Sequence, residues 1–179
     1  MIYMFIAKGF EEIEALCPLD LMRRAGLDVT TVGIGGTHVT GAHGITVTTD
    51  IADIDFRADD MEMIFLPGGM PGTLNLAASE VVTDAIKAAI EYDSYIAAIC
   101  AAPSILGDMG ILSGRQAVCY PGFEDRLVGA TVPDRKVVLD DNILTAKGMG
   151  AALEMGLKIV EIFRGETAAA ELRHAVIAD

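Results

Sequence analysis

The sequence contains no tryptophan, and aromatic residues make up only 6% of its 179 positions. We therefore expect a mainly aliphatic core in which alanine and glycine allow close packing. Positive charge is also scarce, since 13 Lys and Arg residues stand against 26 Asp and Glu residues and give a formal net charge of −13. An acidic surface repels phosphate groups, so we expect no binding to nucleic acid or to anionic membranes.

Long apolar runs and paired cysteines are missing as well. No apolar run approaches the ~20 residues of a membrane helix. No basic segment precedes a long apolar stretch at the start of the chain, so no secretory signal is expected. The three cysteines, Cys17, Cys100 and Cys119, lack metal-ligand spacing and cannot all pair. These absences favour a reducing cytoplasm, without a structural metal.

The chain is rich in hydrophobic residues, at 52%, which favours a compact globule over disorder. The length predicts a single domain over residues 1–179. Strand-like and helix-like segments alternate, which predicts an α/β three-layer sandwich with a mostly parallel central sheet. The predicted strands cover residues 2–7, 27–33, 61–66, 95–99, 116–119, 136–139 and 143–146, with a separate hairpin over residues 37–49 and predicted helices beginning near residues 11, 79, 103, 148 and 166. Residues 50–60 hold five aspartates, without the spacing of a calcium loop, and are interpreted as a solvated loop or surface helix.

One cysteine occupies a position typical of a catalytic nucleophile. Cys100 ends the apolar run 95–99, and Pro103 follows at a position suited to the first turn of a helix. A thiol in such a strand-to-helix turn is exposed at the edge of the sheet, as in a nucleophile elbow. A helix N-terminus and backbone N–H groups would favour its thiolate form. The local sequence leaves open the alternative of a buried structural cysteine.

Two other segments follow predicted parallel strands and should meet Cys100 at the same edge of the sheet. Gly68 and Gly69 can bring backbone N–H groups close to a ligand and, with the N–H of Ala101, could form an oxyanion hole, although a plain tight turn is an equal alternative. Glu14 follows the first strand and could act as a proton donor or acceptor if buried. Local sequence alone favours a solvated first-turn acid, like Glu11 and Glu12.

Histidine, the usual base for a cysteine nucleophile, is scarce. His38 and His43 belong to the predicted hairpin and His174 to the C-terminal segment, so none follows a predicted core strand. We interpret all three as surface residues. The sequence therefore shows no Cys–His pair.

Several short segments, spread over nearly the whole chain, form a recognisable set. They are AKGFEEIE (residues 7–14), MRRAG (22–26), LPGG (66–69), AAICAAP (97–103) and ILT (143–145) with Gly148 and Gly150. In this order they resemble the ThiJ/PfpI family, in its branch of the Parkinson-linked deglycase/chaperone and its bacterial homologues. The resemblance implies a flavodoxin-like, usually homodimeric sandwich with Cys100 as the reactive cysteine and Glu14 as the acid hydrogen-bonded to it. It also implies an oxyanion or sulfinate pocket formed by the backbone of Gly69 and Ala101.

The chain departs from the family pattern at three positions near the expected pocket. Tyr120 stands where the best-known relative has histidine, and Ala146 and Ala151 replace hydroxyl residues. Ala101 occupies the position at which the proteolytic branch of the family has histidine. The resemblance therefore argues against a cysteine peptidase, which we keep as the weakest alternative.

Two functions follow from the resemblance. The first is a cofactor-independent glyoxalase or deglycase that acts on small carbonyl compounds such as methylglyoxal, with Cys100 and Glu14 as catalytic residues and Gly68, Gly69, Ala101 and Tyr120 lining the substrate pocket. The second is a redox-sensing stress protein or chaperone, in which a low-pKa Cys100 oxidises to a sulfinate.

Overall fold

A seven-stranded sheet forms the middle layer of the molecule, and all but one of its strands run parallel. The computed structural model describes residues 1–178. The strand order is β5-β2-β1-β6-β7-β9-β8, and β8 is antiparallel to β9. The strands are β1 (Ile2–Ile6), β2 (Val29–Gly33), β5 (Ile51–Ala52), β6 (Met63–Leu66), β7 (Tyr95–Ile99), β8 (Val137–Asp140) and β9 (Ile143–Ala146), while β3 (His38–Thr40) and β4 (Thr46–Thr48) form a separate antiparallel hairpin.

Helices cover both faces of this sheet, which explains why β1, β6 and β9 are buried along their whole length. One core contains Met4, Met22 and Met155 and joins the sheet to the first, fifth and sixth helices. The other contains Phe5, Ile86 and Leu106 and joins the sheet to the third and fourth. The helices are α1 (Glu12–Arg24), α2 (Gly72–Ala77), α3 (Glu80–Glu91), α4 (Pro103–Asp108), α5 (Ala152–Arg164) and α6 (Glu166–Ala175).

The predicted alternation of strands and helices is confirmed, with three differences. Residues 116–119 do not form a strand: only Gln116 makes an isolated bridge, to Thr131, because β8 already occupies the place beside β9. The predicted loop or helix over residues 50–60 begins with the short edge strand β5, paired to β2. The helix α2 was not predicted, since its six residues show too little periodicity.

This topology positions the loops that matter for function. The parallel strands β1, β6, β7 and β9 all end at one edge of the sheet, so the loops that follow them converge there. In the described part of the chain, no helix is both long and apolar enough to cross a membrane.

Candidate active site

Cys100 lies in a sharp turn between β7 and α4, as the sequence predicts. Its φ of 65° places it in the left-handed region, which non-glycine residues rarely adopt. Its backbone N–H donates to the carbonyl of Ala146 (2.9 Å) and its own carbonyl accepts from the N–H of Tyr120 (2.7 Å). These bonds hold the strained turn, which leaves the Cys100 side chain half-buried at the edge of the sheet.

Glu14 lies beside Cys100, as the family resemblance implies. Glu14 is 1% exposed, and its carboxyl group interacts with the Cys100 side chain. Its Oε2 also accepts from the Gly68 N–H (3.1 Å), and its backbone N–H donates to Oε2 of Glu11 at the N-cap of α1 (2.7 Å). The expectation from local sequence of a solvated first-turn acid is therefore wrong for this position.

Glycine at position 68 is required by the close approach of these groups. A Cβ there would lie 2.5 Å from both the Cys100 Cβ and the Glu14 Oε2. Any side chain would therefore push the thiol and the carboxyl group apart. A plain tight turn therefore does not fully explain glycine at position 68, because only the absence of a side chain there allows the pair to form.

Two backbone N–H groups converge on the sulfur. Those of Gly69 and Ala101 lie near the Cys100 sulfur and act to lower its pKa. Gly69 has a φ of 95°, so the loop after β6 can turn its N–H toward the sulfur without strain. The arrangement has the form of an anion pocket, with two donors aimed at one point.

Tyr120 and the loop after β9 border the pair. A Cβ on Gly148 would lie 3.3 Å from Cδ2 of Tyr120 and 3.7 Å from Oε1 of Glu14, which places the half-exposed ring at the mouth of the site. The backbone N–H of Met149 donates to the Glu14 carboxyl group. Ala146 and Ala151, which stand in place of the hydroxyl residues of the family pattern, are buried.

The pKa of Cys100 is raised, whereas the sequence led us to expect a thiol of low pKa. Burial raises the pKa of Glu14 to about 7, and the negative charge of Glu11 also raises it. Hydrogen bonds to the carboxylate act in the opposite direction but are outweighed. Burial also raises the pKa of the Cys100 thiol, and the Glu14 charge raises it further. The helix behind the cysteine, α4, has only six residues. The resting pair at neutral pH is therefore a thiol beside a carboxyl group poised to ionise.

The remaining cysteines do not reach this site. Cys119 is 2% exposed, and burial raises its pKa to about 11, which agrees with the structural role favoured for it. Cys17 lies half-buried in α1. The structure thus brings together Cys100, Glu14, Gly68, Gly69, Ala101 and Tyr120.

A neighbouring buried carboxylate was missed in the sequence. Glu12, expected to be solvated, is 3% exposed, and its Oε2 lies 2.7 Å from Nδ1 of His43. His43 is exposed, as expected of a surface histidine, but it has a specific partner. No local signal could reveal this pair, because the contact joins residues that are 31 positions apart. In residues 1–178, Glu11, Glu12 and His43 form the group whose spacing could hold a metal.

Comparison with protein families identifies the chain. The model of the DJ-1/PfpI family matches residues 1–162. The chain belongs to this family. Protein dj-1beta of Drosophila melanogaster is 34% identical over 175 residues, covering 96% of this chain and 94% of the fly protein. The glutathione-independent glyoxalase DJR-1.2 of Caenorhabditis elegans is 35% identical over 157 residues, which cover 87% and 83% of the two chains.

Solved structures agree with this assignment. Oxidized DJ-1 of Toxoplasma gondii superposes with a TM-score of 0.94 at 30% identity, covering 98% of this chain and 97% of that one. The crystal structure of Drosophila melanogaster DJ-1beta gives a TM-score of 0.93 at 32% identity over 98% and 96% of the two chains. The predicted flavodoxin-like sandwich is therefore confirmed.

Proposed function

We propose that the protein converts small 2-oxoaldehydes, such as methylglyoxal, into 2-hydroxy acids without a cofactor, or releases them from their adducts. The observation that carries this proposal is the placement of the buried Glu14 carboxyl group against the Cys100 side chain, where Gly68 leaves no room for a side chain between them. Family membership supports it, because one relative is a glutathione-independent glyoxalase.

The first step joins the thiol to the aldehyde. The Cys100 sulfur attacks the aldehyde carbon, and its proton passes to the Glu14 carboxylate as the S–C bond forms. A carboxyl group whose pKa is about 7 suits this role near neutral pH. The N–H groups of Gly69 and Ala101 stabilise the developing oxyanion. Glu14 then returns the proton to that oxygen, which gives a neutral hemithioacetal.

The following steps move hydrogen within the bound substrate. Glu14 takes the proton from the former aldehyde carbon and delivers it to the neighbouring carbon, while the hydroxyl proton of the hemithioacetal passes to the former ketone oxygen, which gives a 2-hydroxy thioester. Water adds to the thioester carbon, the C–S bond breaks, and the Cys100 thiol is restored. Methylglyoxal and one water thus give lactic acid, with no external oxidant or reductant.

Substitution of the nucleophile tests this function. Cys100→Ala removes the atom that bonds to the substrate, so lactate formation from methylglyoxal should fall to the rate of buffer alone. Cys17→Ser is the matched control, since it alters another half-buried thiol outside the site and should retain activity. Lactate formation at the wild-type rate by the Cys100→Ala chain would contradict the proposal.

Redox sensing is a second candidate, supported by the same donors. Two equivalents of hydrogen peroxide would convert the Cys100 thiol into a sulfinic acid with release of two waters. A protonated Glu14 and the two N–H groups would then hydrogen-bond the sulfinate oxygens. Intact mass after mild peroxide treatment separates the two functions: two added oxygens confined to Cys100, without lactate formation, favour the sensor. Earlier oxidation of Cys17 or Cys119 would exclude it.

A further inference from the structure

A second buried carboxylate lies on the same helical turn as the proposed catalytic acid. Glu12 points away from Cys100, into the turn of the β3–β4 hairpin. Its Oε1 accepts from the backbone N–H of His43 (2.8 Å) and lies 3.5 Å from that of Ile45. A Cβ on Gly41 would lie 2.3 Å from the same oxygen. The hairpin turn is therefore shaped around this carboxylate.

Three donor groups converge at this point. One ligand atom from each of Glu11, Glu12 and His43 lies within 4.8 Å of the others. We propose that these three side chains bind a divalent first-row transition-metal ion, such as Zn²⁺. Two carboxylates and one imidazole form a donor set that suits such ions and leaves a fourth position for water.

The hydrogen bonds around Glu12 support this proposal. The backbone N–H groups of the hairpin turn hold Oε1, which orients the carboxylate, as outer-shell partners do for metal ligands. Its other oxygen, Oε2, faces Nδ1 of His43 at 2.7 Å. A zinc ion with bonds of ~2.1 Å in tetrahedral geometry would separate these atoms by about 3.4 Å. The His43 side chain is 68% exposed, so it can move outward by the difference between these two separations when the ion replaces the shared proton.

The negative charge around this group of side chains also favours a bound cation. Glu11, Glu12 and Glu14 lie within one helical turn, and among the described residues none of them forms an ion pair with lysine or arginine. Glu11 caps α1 through Oε2, which leaves Oε1 available as a ligand. A divalent cation would compensate this local negative charge. This inference does not depend on the proposed glyoxalase function.

Zinc titration by calorimetry tests the site. The chain, stripped with a chelator, carries Cys17→Ser and Cys100→Ser so that the half-buried thiols cannot bind Zn²⁺. We expect one Zn²⁺ per chain, with binding weakened by at least about ten-fold in His43→Ala and in Glu11→Gln. His38→Ala is the control, because it removes another exposed histidine of the same hairpin and should leave the affinity unchanged.

The variants separate loss of a ligand from loss of structure. The amide oxygen of Glu11→Gln can still cap α1, so this variant should keep the fold, which circular dichroism verifies. Unchanged zinc affinity in both His43→Ala and Glu11→Gln would overturn the proposal. The absence of binding by the parent chain at millimolar Zn²⁺ would overturn it as well.

Discussion

Two carboxyl groups of α1, Glu12 and Glu14, are both shielded from solvent and yet differ in their electrostatics. Burial acts to raise the pKa of Glu12, but hydrogen bonds from the His43 side chain and from backbone N–H groups outweigh it and lower that pKa. At Glu14, burial and the charge of Glu11 dominate, and the pKa rises to about 7. Glu14 lies deeper in the protein and has fewer opposing hydrogen-bond donors, so depth and donors together decide which carboxyl group stays ionised.

This difference agrees with the roles that we propose for the two groups. Glu12 stays an anion and ties the hairpin to α1, whereas Glu14 can gain and lose a proton near neutral pH. A proton acceptor for the Cys100 thiol must do the latter. The following predictions use substitutions at each position to sharpen or break this contrast.

The largest expected effect is on activity. Glu14→Gln keeps the shape of the side chain but removes the proton acceptor, so lactate formation from methylglyoxal should fall by about 10²- to 10⁴-fold. Glu12→Gln should retain activity within a few-fold, because Glu12 does not face the thiol. Equal losses in the two variants, measured under the same conditions, would break the contrast.

The next effect is on stability, and it depends on pH. Folded Glu14 binds its proton up to about pH 7, whereas in the unfolded chain it ionises near 4.5. The folded state therefore holds more protons between these values, and the free energy of unfolding falls as the pH rises through them. Glu14→Gln removes this loss, so its stability relative to wild type should increase by about 2–3 kcal/mol between pH 5 and pH 8.5.

Denaturant unfolding at the two pH values measures this quantity. Glu154→Gln is the control, because it neutralises an exposed glutamate on α5 and should show no comparable trend. If the difference in free energy of unfolding between Glu14→Gln and wild type does not change with pH, Glu14 does not titrate in this range.

A smaller effect, of opposite sign, is expected at Glu12. Glu12→Ala leaves the N–H groups of the hairpin turn without their acceptor, which should cost about 1–3 kcal/mol of stability. Because the pKa of Glu12 is lowered, its contribution is present above pH 4.5 and is lost as the pH falls through the folded-state pKa. Unfolding at pH 7 measures the cost, and an unchanged stability would show that the hairpin does not depend on Glu12.

The sequence predicted the elements of the site better than its electrostatics. The apolar run before Cys100 and Pro103 after it were sufficient to predict the elbow. Glu14 required the family resemblance, because helical periodicity cannot show that a first-turn acid faces a loop 54 residues away. The segment 116–119 was wrongly predicted as a strand, because pairing depends on β8, which lies later in the chain.

The protonation state of Cys100 was beyond sequence reasoning for a different reason. The pattern correctly predicted a helix after the thiol, but burial and the charge of Glu14 depend on the packing of three separate loops. Burial and the Glu14 charge raise the pKa of Cys100. A helix N-terminus considered alone would lower the pKa of a thiol. The contact between Glu12 and His43 likewise depends on how the hairpin folds back onto α1.

The central claim is that Cys100 depends on Glu14 for its reactivity, and alkylation of Cys100 against pH tests it most directly. In the wild-type chain, the rate should increase around pH 7, because Glu14 ionises there and can then accept the proton of the attacking thiol. In Glu14→Gln, this increase should be lost and the rate should rise only above pH 9, because burial still raises the pKa of the thiol and no carboxylate is present to accept its proton. An inflection well below pH 7 that persists in Glu14→Gln would contradict the account, since it would show a thiolate stabilised without Glu14.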